Sequence, residues 1–233
     1  MRVPLLAAAA LVLAAPALAQ VGTPPSQSPY RDLRYGHGIS FLGAQYGGDG
    51  GEVAVGPHDG TTFGVRYDFR LSAPLAFGFS ITRGDFDRVV IDPDEPPDER
   101  VPVPTTQAVT FFETALQFTV TGGKTWRRLA PYLEAGLGLA MGEDVPDPSG
   151  YEFGTKFYFA PAAGTRVFLG DHLFLRGEIR STFWKLSYPD SFTDPFVENG
   201  VPDPEGAVLP GGPETEWVTS PSLHVGLGYS FSW

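Results

Sequence analysis

The chain has 233 residues, with 16 basic side chains against 27 acidic ones and a formal net charge of −11. That balance argues against nucleic acid as a partner, and the absence of cysteine excludes disulfide frameworks and thiolate metal sites. With 29 glycines, 23 prolines and 13% aromatic residues, the composition favours strands and turns, and the length fits one domain.

Arg2, the apolar run from Val3 to Ala15 and the small triplet Ala17-Leu18-Ala19 before Gln20 read as a secretory signal peptide over residues 1–19. The apolar run is too short for an anchor helix, and no later run is long enough for one. Residues 20–33, with Pro24, Pro25 and Pro29, are predicted to be an irregular lead-in. Period-two alternation then begins. The first strand, near Gly36 to Tyr46, is the least clear, because both of its faces carry apolar residues.

In the second strand Phe63, Val65, Tyr67, Phe69 and Leu71 share one face, with Gly64, Arg66, Asp68 and Arg70 on the other. After Ser72-Ala73-Pro74, a third strand alternates Leu75, Phe77, Phe79 and Ile81 with small and polar residues, so the two form a hairpin. Phe112, Leu116, Phe118 and Val120 mark the fourth strand, and Leu133, Ala135, Leu137 and Leu139 the fifth. The sixth, from Phe157 to Leu169, contains Pro161, which predicts a bulge or a local break. Leu173, Leu175 and Ile179 mark the seventh. The eighth is the sharpest: Leu223, Val225, Leu227, Tyr229, Phe231 and Trp233 alternate with His224, Gly226, Gly228, Ser230 and Ser232.

Short connections near 72–74, 121–130 and 170–172 alternate with long ones near 47–60, 87–105, 142–153 and 183–216. This predicts an all-β fold over residues 34–233, an eight-stranded antiparallel up-and-down transmembrane β-barrel with both chain ends on the short-turn side. A sandwich or soluble barrel would also alternate, with its apolar face inward. Here the other face is rich in glycine and alanine with isolated charges of both signs, which suits a narrow interior better than a wet exterior. The apolar face then meets lipid, where only a closed barrel satisfies every backbone group. Trp126, Trp184, Trp217 and Trp233 all fall near strand ends, as expected of interfacial girdles.

The last strand, with its terminal aromatic, resembles the assembly signal of outer-membrane proteins. The stretches Pro131 to Gly138 and Gly164 to Val167 also resemble small barrels of the OmpA, OmpX and OmpW type. The resemblance spans roughly residues 34–233, without a periplasmic domain after the barrel. It implies a bacterial outer-membrane location, recognition of Leu223, Val225, Leu227, Tyr229, Phe231 and Trp233 by the barrel assembly machinery, and contact with membrane lipid and lipopolysaccharide. A monomer is expected.

Nine charges are predicted to face the lumen: Arg66, Asp68, Arg70, Glu113, Glu134, Arg166, Arg176, Glu178 and Arg180. Charges in so narrow an interior must pair to offset desolvation. They are read as a salt-bridged plug, with a selectivity ring in a narrow pore as the alternative. Residues 47–60, 85–105, 142–153 and 183–216 hold 21 of the 27 acidic residues, including Asp92, Asp94, Glu95, Asp98 and Glu99. These read as solvated surface loops, with weak divalent-cation binding as the other possibility. Arg31, Arg34, Lys124, Arg127 and Arg128 gather on the opposite, short-turn side.

Four scattered histidines give no metal spacing. Ser222 and His224 share a face of the last strand, but no third catalytic residue can be placed beside them. No cofactor and no catalytic residue is assigned. The reading is an integral outer-membrane protein with a structural or cell-surface interaction role. A narrow channel for small or hydrophobic solutes is the first alternative, and a lipid A-modifying enzyme the second.

Overall fold

The computed structural model describes residues 28–232. The signal segment 1–19, residues 20–27 of the lead-in and Trp233 lie outside the described residues. Eight long strands make the body: β1 (His37–Tyr46), β2 (Gly60–Arg70), β3 (Leu75–Val90), β4 (Val103–Thr119), β5 (Leu129–Gly142), β6 (Thr155–Phe168), β7 (Leu173–Ser187) and β8 (Thr215–Phe231). Each pairs antiparallel with its chain neighbour, and β8 returns to pair with β1, so the sheet closes on itself.

The closure has a measurable stagger. One row of partners runs Leu75, Phe118, Leu133, Ala163, Ile179, Leu223, Gln45, Thr61 and back to β3 at Asp85, ten residues beyond its start. A shift of that size over eight strands tilts them by about 40° from the barrel axis. The lumen is then only wide enough to be filled by side chains.

The strands are longer than the sequence suggests. β3, β4, β7 and β8 have 16, 17, 15 and 17 residues, whereas about 9–11 tilted residues cross a bilayer. The extra length projects beyond the membrane on the long-loop side, and the faces exchange character there. On β3 the outward residues run Leu75, Phe77, Phe79, Ile81 and then Arg83, Asp85, Asp87. The inward ones run Ala76, Gly78, Ser80, Thr82 and then Gly84 and Phe86, which is fully buried. β7 repeats the exchange, with Lys185 outward and Trp184 and Leu186 buried inward. The lower barrel is greasy outside and ionic inside, as lipid demands. The upper barrel is polar outside and apolar inside, as water demands.

The short turns fall at 71–74, 120–128 and 169–172 and the long loops at 47–59, 91–102, 143–154 and 188–214. The last loop holds a small hairpin, Phe196–Glu198 with Val201–Asp203. Within the predicted irregular lead-in, Tyr30–Asp32 instead forms a short strand paired with Lys124–Trp126. The Leu33 N–H donates to the Gly123 carbonyl at 2.8 Å. The lead-in is thereby strapped across the short-turn mouth of the barrel.

Pro161 produces a local break and no bulge. The β6–β7 pairing lapses after Phe159↔Phe183 and resumes at Ala162↔Arg180 in the same register, while pairing with β5 is continuous through Pro161↔Ala135. Proline has no N–H to give the ladder. Pro161→Ala is expected to restore that donor and raise stability by about 1 kcal/mol, read as a higher urea midpoint for unfolding from lipid vesicles.

Candidate functional site

Seven of the nine predicted lumen charges meet in one network. Arg66 donates through Nη1 and Nη2 to both oxygens of Glu134, at 2.7 and 2.8 Å, and through Nε to Asp68 at 2.8 Å. Arg180 donates to Glu134 at 2.7 Å, to Glu178 at 2.9 Å, and to Glu113. Arg176 donates to the Gln117 amide oxygen at 2.6 Å and to the Tyr132 phenol oxygen at 2.8 Å, and lies 3.4 Å from Asp68. Tyr132 in turn donates to Glu178 at 2.8 Å. Three guanidinium groups thus interlock with four carboxylates from β2, β4, β5 and β7, each of the seven residues less than a tenth exposed. Forked arginine–carboxylate geometry gives such pairs both strength and direction.

Room for these side chains comes from glycine. A Cβ at Gly78 would lie 2.3 Å from Arg66 Nη2, and one at Gly228 would lie 2.2 Å from the Phe174 ring. The small residues of the inward face are therefore spaces into which larger neighbours reach. Inside the network the remaining space is about 10 Å³, bounded by Arg66, Glu113, Arg176, Glu178, Arg180 and His224.

The other two predicted charges stay outside. Arg70 sits at the short-turn mouth and donates to the carbonyls of Leu33 (2.7 Å) and Tyr35 (2.6 Å), so it fastens the strap. Arg166 makes no ion pair among the described residues. Its guanidinium lies near the rings of Phe168 and Phe174, at 5.9 and 5.8 Å.

Above the network, on the long-loop side, is an apolar cap that the sequence reading missed. Tyr46, Phe111 and Trp184 stack across the lumen, with centroids 5.5 and 6.0 Å apart. Val55, Phe153, Phe192 and Leu209 from three loops pack down onto them, all almost fully buried. Trp184 corrects the girdle assignment: it is wholly buried and points inward, whereas Trp126 and Trp217 are exposed. Its parity, shared with Arg180 and Thr182, was the available signal. The same cap accounts for Ala44 and Tyr46 on the inner face of the doubly apolar β1, while Leu42 lies beside the charge network.

The acidic loops are not uniformly solvated. Asp147 is buried and paired with Arg88, whose guanidinium lies 4.9 Å from the Tyr151 ring centroid. Burial pushes the Tyr151 phenol well above its usual range, and the Tyr188 phenol likewise, helped there by donation to Glu216. No three carboxylates or histidines converge as a metal cage among the described residues.

Residues 5–231 match the family model described as the outer membrane protein beta-barrel domain. The chain belongs to that family. Two solved structures of outer-membrane barrels are similar to it. Neisserial surface protein A is 14% identical, with a TM-score of 0.51, covering 84% of this chain and 97% of its own. The outer membrane protein OprG from Pseudomonas aeruginosa is 12% identical, with a TM-score of 0.50, covering 88% and 100%. At such identities the likeness carries the fold alone. No curated protein matches the chain in sequence.

Within this outer-membrane barrel, the last strand presents Leu223, Val225, Leu227 and Tyr229 outward, each about half exposed, in ten consecutive pairs with β1. Ser222 and His224 do meet, with Oγ and Nε2 3.0 Å apart. Both are buried on the lumen side, so the pair faces the charge network and not the lipid.

Proposed function

We propose that this chain is an exported structural or cell-surface interaction protein of the bacterial outer membrane, with a lumen closed to solutes. The signal segment 1–19 sends it across the inner membrane. The assembly machinery takes the outward row from Leu223 to Trp233, and the apolar belt meets lipid and lipopolysaccharide as a monomer. The observation that carries the closed lumen is the network of Arg66, Arg176 and Arg180 with Asp68, Glu113, Glu134 and Glu178. The space left within it, about 10 Å³, is at the lower limit for a single water. The apolar cap lies in series with it, where an ion would lose most of its hydration. Ser222 and His224 are read as lumen-filling side chains and not as a catalytic pair.

The test is conductance. Protein first shown to be folded by its heat-modifiable gel mobility is expected to give no steady single-channel steps in planar bilayers. Reproducible open steps of fixed size would sink the closed lumen and favour the narrow-channel reading.

A further inference from the structure

Below the network, on the periplasmic side, lies a cavity of about 710 Å³ under the lead-in strap. Its walls carry Arg31, Arg34, Arg70, Lys124, Arg128 and Arg166, together with Asp32, Asp68 and Asp171. The three carboxylates are engaged. Asp68 is held by Arg66 and Arg176, Asp171 lies 3.6 Å from Arg34, and Asp32 lies 3.9 Å from Lys124. Arg70, Arg128 and Arg166 make no ion pair among the described residues. Arg166 is the notable case, because its Nε is buried with no hydrogen-bond partner. A buried donor left unsatisfied costs free energy, more so on a charged group. Three guanidinium groups around one cavity give an excess of positive charge that attracts anions.

We propose that this vestibule is a binding site for a small oxyanion, a phosphate or carboxylate group entering from the periplasm and held by Arg166, Arg70 and Arg128. Guanidinium groups match such oxyanions through paired N–H donors. The anion would pair with the Arg166 guanidinium, which lines the cavity and has no carboxylate partner among the described residues. The site is a dead end beneath the plug, so occupancy requires no transport, and its success or failure is independent of conductance. The strap also ties occupancy to the lead-in, since Arg70 holds the Leu33 and Tyr35 carbonyls that roof the cavity.

The experiment follows the arginine side-chain Nε resonances of the folded full mature barrel by NMR in zwitterionic micelles. Inorganic pyrophosphate is titrated in one arm, and phosphatidylglycerol is added to the micelles in the other. A saturable shift of the Arg166 resonance is expected, with half-saturation raised about tenfold in Arg128→Gln or Arg70→Gln. In Arg166→Gln, pyrophosphate binding read by calorimetry is expected to weaken by at least as much, with unchanged heat-modifiable mobility reporting the fold. Saturation by pyrophosphate identifies a free solute, and saturation by phosphatidylglycerol alone identifies a lipid headgroup. No saturable shift in either arm at low salt, or binding unchanged in Arg166→Gln, overturns the site.

Discussion

Glu134→Ala is expected to destabilise the barrel by about 3–5 kcal/mol, the range for stripping one partner from a buried ion network. Glu134 accepts two bonds from Arg66 and one from Arg180. Its removal leaves one guanidinium edge on each without a counter-charge. Both arginines keep other carboxylates, Asp68 for Arg66 and Glu113 and Glu178 for Arg180, so the lower end of the range is the closer estimate. The measurement is urea unfolding from lipid vesicles. Glu143→Ala provides the contrast. Its pairing with Arg83 has both side chains more than half exposed, and such pairs are worth about 1 kcal/mol or less. Replacing Arg66 and Glu134 together by methionine is expected to recover much of the loss, because a fitted apolar pair avoids the desolvation cost of both ions. A Glu134→Ala loss as small as that of Glu143→Ala would mean that water already screens the network, and would count against a closed lumen.

Where the sequence was legible, it was so because lipid imposes a simple rule. In the lower barrel the outward residues are mostly apolar and the inward ones mostly small or polar, so period-two alternation assigns both faces. The nine inward charges were found this way, and the seven that interlock are those at mid-lumen. Arg70 and Arg166 share the same parity but lie nearer the periplasmic mouth. Parity says which way a side chain points and nothing of how high it sits. Height depends on the ten-residue stagger, which is set by pairing around the whole ring and is invisible in any one strand. The upper barrel is harder to read for a related reason. The loops expected near 87–105 and 183–216 are shorter in the structure, 91–102 and 188–214, because their flanks are strands that alternate in the opposite sense. Arg83, Asp85 and Asp87 break the pattern of an apolar outer face, yet they are strand residues above the bilayer, where the outer face is wet. The assumption of an apolar outer face throughout also puts Trp184 at the interface.

Trp184→Ala is expected to cost about 3–5 kcal/mol, the loss for a large buried aromatic whose cavity cannot collapse. The cap is made of lumen walls and three loops, and the walls are fixed by the closed ladder, so only the loops can move to fill the space. The effect should therefore reach beyond the cap. Trp184 stacks on Phe111, Phe111 meets Tyr158 edge-on at 5.8 Å, and the Tyr158 phenol donates to Glu113 at 3.2 Å. Glu113 is a partner of Arg180 in the network below. One route from the apolar cap to the ionic network thus runs through a residue with a greasy ring and a polar tip. Tyr158→Phe keeps the ring and removes the hydrogen bond to the carboxylate, for an expected loss of about 1.5–3 kcal/mol. If Tyr158 couples the two layers, the double variant departs from the sum of the singles by more than about 0.5 kcal/mol. Strict additivity would make the cap and the network energetically independent layers, one suited to water and the other to lipid.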